Sequence, residues 1–145
     1  MRVLVQRVLS SSVEVDNKIV GKSEHGLLLL VGFTEGDSSR EIDYMVDKVI
    51  NLRIFDDENG VMNKSLVDIN GSILSISQFT LYADSSKGRR PSYVNALGGD
   101  KASVLYNEFN TKLMEKNIKV ETGVFGAEMR VSLINDGPVT IMLEK

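Results

Sequence analysis

Val3, Val5 and Val8, then Val13 and Val15, recur along the first fifteen positions with mostly polar residues between them, close to the period-two pattern of strands with one covered face. Asp16-Asn17 supplies a tight turn into "KIVGK". Leu27 to Val31 is an unbroken apolar run, as expected of a strand covered on both faces. The period then changes. Ser38 and Glu41 have capping-box spacing, and Ile42, Met45, Val46, Val49 and Ile50 recur at helical intervals, so the pattern predicts an amphipathic helix over residues 39 to 51 that lays one face on a sheet.

"NLRIF" reads as a short strand ending at the acidic turn "DDENG", and "SILSISQFTLY" as the most strand-like segment in the middle of the chain. Residues 83 to 100 are too irregular for a strand and read as a long exposed loop. A second helix is predicted from about Lys101 to Asn117, with Ala102, Leu105, Phe109 and Leu113 as its apolar stripe. Strands return with "KVETG", with the alternation of Met129, Val131 and Leu133, and, after a break at "NDGP", with "VTIML". No internal repeat, low-complexity tract or linker interrupts this order, so the 145 residues read as one mixed α/β domain spanning 1–145. A chain of this size can bury roughly 70% of its unfolded surface in a single core.

Composition narrows the chemistry. At 42% hydrophobic and 26% charged the chain is ordinary for a soluble globular protein, and no run of about 20 apolar residues is present to span a membrane. Arg2 and Arg7 interrupt the opening "MRVLVQRVL", which is no signal-peptide core; a cytoplasmic location is expected. With no cysteine and one histidine, the sequence excludes disulfides, cysteine nucleophiles and most zinc or histidine-rich metal cages. A serine triad would have to use His25, which sits in "GKSEHGLLLL" and reads as a turn residue before a strand. The net charge of −3 does not attract polyanions as a whole, so any nucleic-acid contact must come from a local patch.

Three stretches stand out. "SQFTLYAD" carries Ser77, Gln78 and Thr80 at the end of a strand-like run; such residues are either a solvent face or a site. "SSKGRRPS" crowds Lys87, Arg89 and Arg90 around Gly88, either as a solvated loop or as a cradle for phosphates. In "NDGPVT" the Asn-Asp-Gly run already suffices for a hairpin turn, yet Pro138 follows and removes a backbone donor where pairing should resume. The proline needs another reason than the turn.

"SQFTLYAD", "KGRRPSY" and "NDGPVT", in that order and with the opening "MRVLVQRV" and the run "NLRIF", make the chain resemble the D-aminoacyl-tRNA deacylase family from Met1 to about Leu143. One departure is Ala83, where the family usually has glycine after "SQFTLY". The resemblance implies a fold of two packed β-sheets with helices on one side, a homodimer, no metal or organic cofactor, and hydrolysis of the ester of D-aminoacyl-tRNA in chiral proofreading, with glycyl-tRNA a further candidate substrate. That ester is already activated, so the protein needs mainly to hold it, polarise its carbonyl and admit water. On this reading the backbone amides of Phe79 and Thr80 serve as oxyanion donors, Thr80 positions, the tRNA 2′-hydroxyl helps to activate water, and Ser77 and Gln78 shape the pocket. Phe125 and Met129 in "GVFGAEM" fall near the adenosine and the aminoacyl group, though core packing accounts for them equally well. Lys87, Arg89 and Arg90 hold tRNA phosphates. The resemblance further implies that Gly137-Pro138 is a cis pair reaching across the subunit interface, its carbonyl oxygens facing the substrate's ammonium and Cα so that the backbone fills the space of an L side chain.

Two other readings stay open on the residues alone. A module that grips tRNA ends without catalysis needs the basic loop but not "SQFT", and a dimeric scaffold needs neither.

Overall fold

The computed structural model describes all 145 residues. Eight strands and two helices follow in the order β1 (Arg2–Val15), β2 (Lys18–Ser23), β3 (Gly26–Gly32), α1 (Ser39–Asn51), β4 (Phe55–Asp56), β5 (Met62–Lys64), β6 (Ser72–Ser77), α2 (Gly99–Glu115), β7 (Lys119–Thr122) and β8 (Arg130–Glu144). Six strands make one mixed sheet in the order β2-β1-β3-β6-β7, with β8 along the other edge of β1, and β4 and β5 form a small second sheet. Strand β1 is the spine. Its first half pairs with β3 and its second half with β2, while β8 runs antiparallel along almost its whole length. Strands β6 and β7 add parallel pairs. The sheet curls until β2 backs onto β7, where a Cβ on Gly21 would stand 2.6 Å from the Thr122 carbonyl oxygen. Only glycine allows that approach.

Helix α1 forms where the periodicity predicts it. Ser38 and Glu41 close the capping box, and Ile42, Met45, Val46, Val49 and Ile50 are buried. Both helices lie on one face of the large sheet, where their stripes join Val3, Val5, Leu27, Leu29, Val31 and Ile73 in the main core. Inside the curl a smaller cluster of Val8, Val13, Leu28, Leu74 and Ile76 is covered by Met129, Val131 and Leu133. The stripe of α2 is centred on Tyr106 and Phe109, with Leu105 only partly buried, so it is rotated slightly from the predicted one. His25 precedes β3 and packs edge-on against Phe55 at 5.4 Å, a structural role.

Three local expectations are corrected. In "NLRIF" Asn51 still belongs to α1 and pairing begins only at Phe55, because the buried Ile50 and Ile54 carry the chain off the helix end. The strand-like run "SILSISQFTLY" stops pairing at Ser77, and Phe79–Tyr82 form a 3-10 turn. "NDGP" is no break between strands. Strand β8 runs through it as a bulge in which Asp136 to Val139 stand against Arg7 alone, the flanking pairs being Val8 with Asn135 and Gln6 with Thr140.

Candidate active site

The turn after β6 begins because the end of the ladder is capped. The Gln78 amide donates to the Val31 carbonyl at 2.7 Å, and the chain then folds over β3 so that Leu81 N donates to Gln78 O and Ala83 N to Thr80 O. Gly32 permits this fold: a Cβ there would lie 2.8 Å from the Gln78 carbonyl oxygen and 3.3 Å from Leu81 Cβ. The amides of Phe79 and Thr80 stand at the start of a helical turn and have no intrahelical acceptor; no loop or turn hydrogen bond occupies them either. The Gln78 side-chain amide donates to the Thr80 hydroxyl oxygen, which fixes both side chains relative to the turn. Ala83 sits just beyond it in extended conformation with φ −65°, so the alanine is unstrained where the family usually has glycine.

Beside this turn lies a cleft of about 470 Å³. Ser77, Gln78 and Phe79 line it together with Phe125, Met129, Gly32, Phe33 and Ala102. Phe125 is held by Tyr106, ring centroids 5.8 Å apart. The Tyr106 hydroxyl, its pKa raised chiefly by burial, donates to the Ser75 carbonyl at 2.7 Å. Met129 rests on Gly123, where a Cβ would meet its sulfur at 2.4 Å. No acid, base or cation lines the cleft. Its lining is an apolar seat with Ser77 and Gln78 as its polar side chains, beside a turn whose first two amides are unoccupied.

Gly137 and Pro138 do not line this cleft; they sit exposed at the top of the β8 bulge, joined by a cis peptide bond. Two side chains build the bulge. Asn135 Nδ2 donates to the carbonyls of Arg7 at 2.9 Å and Val139 at 3.0 Å, closing its base. Arg7 is 6% exposed, and its Nε reaches Asp136 Oδ2 at 3.0 Å and the Asp136 carbonyl at 3.2 Å. Its Nη1 donates to the Ile54 carbonyl at 2.7 Å. Arg7 carries no such role in the sequence, and Asn135 figures there only as the start of the "NDG" turn signal. The available signal was an arginine in period-two register with Val3 and Val5, the covered face of the strand, where a cation needs a built set of acceptors.

Lys87, Arg89 and Arg90 lie on an exposed loop closed by paired backbone hydrogen bonds between Asp84 and Ser92, at 2.8 and 2.9 Å. Gly88 takes the left-handed turn at φ 73°. Hydrogen bonds from Ser86 lower the pKa of Asp84. None of the three cations is in an ion pair. The structure thus brings Ser77, Gln78, Phe79, Phe125 and Met129 together at one cleft, leaves Thr80 on the adjoining turn outside its lining, and sets the basic loop and the Gly137-Pro138 bulge apart from it.

Comparison with known proteins bears on this arrangement. Residues 4–144 match the family model described as D-Tyr-tRNA(Tyr) deacylase. The chain is 57% identical over 144 residues to the D-aminoacyl-tRNA deacylase of Thermosipho africanus, covering 99% of this chain and 97% of that protein. It is 55% identical to the D-aminoacyl-tRNA deacylase of Brevibacillus brevis, covering 99% of each. Among solved structures, the c-Myc DNA unwinding element binding protein superposes with a TM-score of 0.94 at 39% identity, covering 100% of this chain and 99% of that one. With the family model spanning nearly the whole chain and relatives above half identity at full length, this chain belongs to the D-aminoacyl-tRNA deacylase family.

Proposed function

We propose that this protein hydrolyses the ester linking a D-amino acid to the 3′ end of tRNA, releasing free tRNA and the D-amino acid. The observation that carries the mechanism is the pairing of two unoccupied amides, Phe79 and Thr80, with a cleft that holds no titratable side chain. An activated ester needs no stronger catalyst than oriented donors and an admitted water. Water attacks the carbonyl carbon, the amides hold the developing oxyanion, and the ester bond to the ribose breaks with a proton passing to the ribose oxygen. The neighbouring 2′-hydroxyl of the substrate orients the water. Gln78 donates to the Thr80 hydroxyl and holds it in place, and Phe125 and Met129 flank the adenosine and the aminoacyl group.

Chirality is judged by a second copy of the chain in a homodimer. The Gly137-Pro138 bulge is exposed and lies outside its own chain's cleft, so it serves a site only if it enters another copy's. Strand β8 also turns Ile134 and Met142 to solvent, 57% and 47% exposed, and Leu9 of β1 is 51% exposed. An apolar surface of that kind suits burial between subunits. The carbonyl oxygens of the bulge then hold the substrate ammonium, and its backbone occupies the space of an L side chain. Exclusion by backbone accepts many D side chains, and glycine, which has none, passes as well.

Incubating the protein with D-tyrosyl-tRNA and L-tyrosyl-tRNA and following ester loss tests this reading. The D-ester should be lost and the L-ester kept. Binding of charged tRNA with both esters intact would leave only a tRNA-gripping module, and equal loss of both would reject chiral exclusion.

A further inference from the structure

We propose that Tyr93, braced by Phe79, is a stacking platform for the base of the nucleotide that immediately precedes the terminal adenosine of aminoacyl-tRNA. This rests on the reading of the cleft given above. Most aromatic rings of the chain are buried: Phe33, Phe55, Tyr82, Tyr106 and Phe109 are each 7% exposed or less. Phe79 and Tyr93 are 56% and 43% exposed yet lie against each other, ring centroids 5.1 Å apart at 63°. An edge-to-face pair leaves ring faces open to a third π system.

Position selects the occupant. Phe79 forms the lip of the cleft, and Tyr93 directly follows the Asp84–Ser92 loop that carries Lys87, Arg89 and Arg90. The pair therefore bridges the seat of the esterified nucleotide and the unpaired cations. Consecutive nucleotides of a stacked strand advance about 3.4 Å, so a ring centred 5.1 Å from Phe79 is within reach of the next base out of the cleft. Aromatic faces beside a positive track are the means by which single-stranded nucleic acid is held without base readout. The segment is also anchored: Leu97 N donates to the Phe33 carbonyl at 2.9 Å, and the Thr34 hydroxyl to the Asn95 carbonyl at 2.7 Å.

Two substrates and one position test the platform: D-tyrosyl-tRNA and the minimal ester D-tyrosyl-adenosine, each with the unmodified protein, Tyr93→Ala and Tyr93→Phe. Loss of one base stack should raise KM for the tRNA substrate about 5- to 150-fold in Tyr93→Ala, with kcat kept, and Tyr93→Phe should restore it. The minimal ester lacks the preceding nucleotide, so its hydrolysis should not distinguish the three proteins. An unchanged KM for D-tyrosyl-tRNA in Tyr93→Ala overturns the platform. So does an equal loss on both substrates, or a change in the protein's mass in solution, which would make Tyr93 a contact between copies. If the unmodified protein hydrolyses neither substrate, it is the reading of the cleft that fails.

Discussion

The guanidinium of Arg7 lies 3.0 Å from Asp136 Oδ2 and 3.2 Å from the Asp136 carbonyl oxygen, 129 residues away in sequence. With its Nη1 on the Ile54 carbonyl, one side chain ties the base of the Gly137-Pro138 bulge to the end of the α1 segment. Arg7→Ala leaves buried acceptors without a partner and should cost about 2–4 kcal/mol, discounted for the partly exposed Asp136. Arg7→Lys keeps the charge but not the fork. It should lower D-aminoacyl-tRNA hydrolysis about tenfold or more while the fold persists, as thermal melting and kinetics together would show. Full activity in Arg7→Lys would mean that the bulge holds its shape without the bracket.

If the bulge acts in the other copy's cleft, two defective proteins should repair each other. Gly137→Val forces a side chain onto a backbone at φ 121° and toward Arg7 Nη2, 3.2 Å from the new Cβ, whereas Gln78→Ala damages the cleft. After mixing and exchange of subunits, about half of the dimers are mixed and each has one intact site of two, so about a quarter of full activity should return. No recovery despite exchange would place both groups in one chain's site.

The basic loop predicts a salt effect. Each single-strand phosphate contact contributes about 0.7 to the slope of log affinity against log salt, so replacing Arg89 and Arg90 by alanine should flatten that slope by about 1.4, two contacts at about 0.7 each. KM for charged tRNA should rise with kcat held. An unchanged slope across a salt titration removes the loop from the tRNA path.

Thr80 tests how the chemistry is divided. Its hydroxyl accepts from Gln78, and no titratable group lines the cleft to activate it, so it positions rather than attacks. Thr80→Ala should reduce kcat only in part, about 10- to 100-fold, whereas a substrate ending in 2′-deoxyadenosine should lose most of its rate. An acyl group found covalently on Thr80 by mass spectrometry would reverse this assignment.

Alkaline stability follows from Tyr82. Burial, helped by Asp37 and opposed by Arg2, pushes its hydroxyl up to about 12; the Arg2 guanidinium sits 4.5 Å from the ring centroid. The unfolded chain gives up this proton near pH 10 and the folded chain near 12. The stabilisation is therefore complete below pH 10 and lost as pH rises from about 10 to 12. Thermal melting should fall more steeply across that window in the unmodified protein than in Tyr82→Phe, which has no proton to lose. Equal slopes would shift the cause to Tyr106, whose hydroxyl is raised in the same direction.

Much of this protein is local enough to be read from its residues. The capping box at Ser38 and Glu41, the stripe from Ile42 to Ile50 and the run Leu27–Val31 stand where the pattern puts them, because each is decided by neighbours within a few positions. The motif residues Ser77, Gln78, Phe79, Phe125 and Met129 were likewise legible, and the fold gathers them at one cleft. Other features depend on partners distant in sequence. The strand-like alternation through "SQFTLY" ends at Ser77 because the Val31 carbonyl takes the Gln78 amide and Gly32 lets the chain fold across β3. "NDGP" carries every local sign of a hairpin, yet β1 pairs with β8 on both sides of it, so the extra residues are driven out as a bulge. Arg7 reads as one more polar position in an alternating strand until that pairing sets Asp136 against it. A hydrogen bond between residues 129 apart has no signature in either segment alone; it exists only once the sheet has chosen its register.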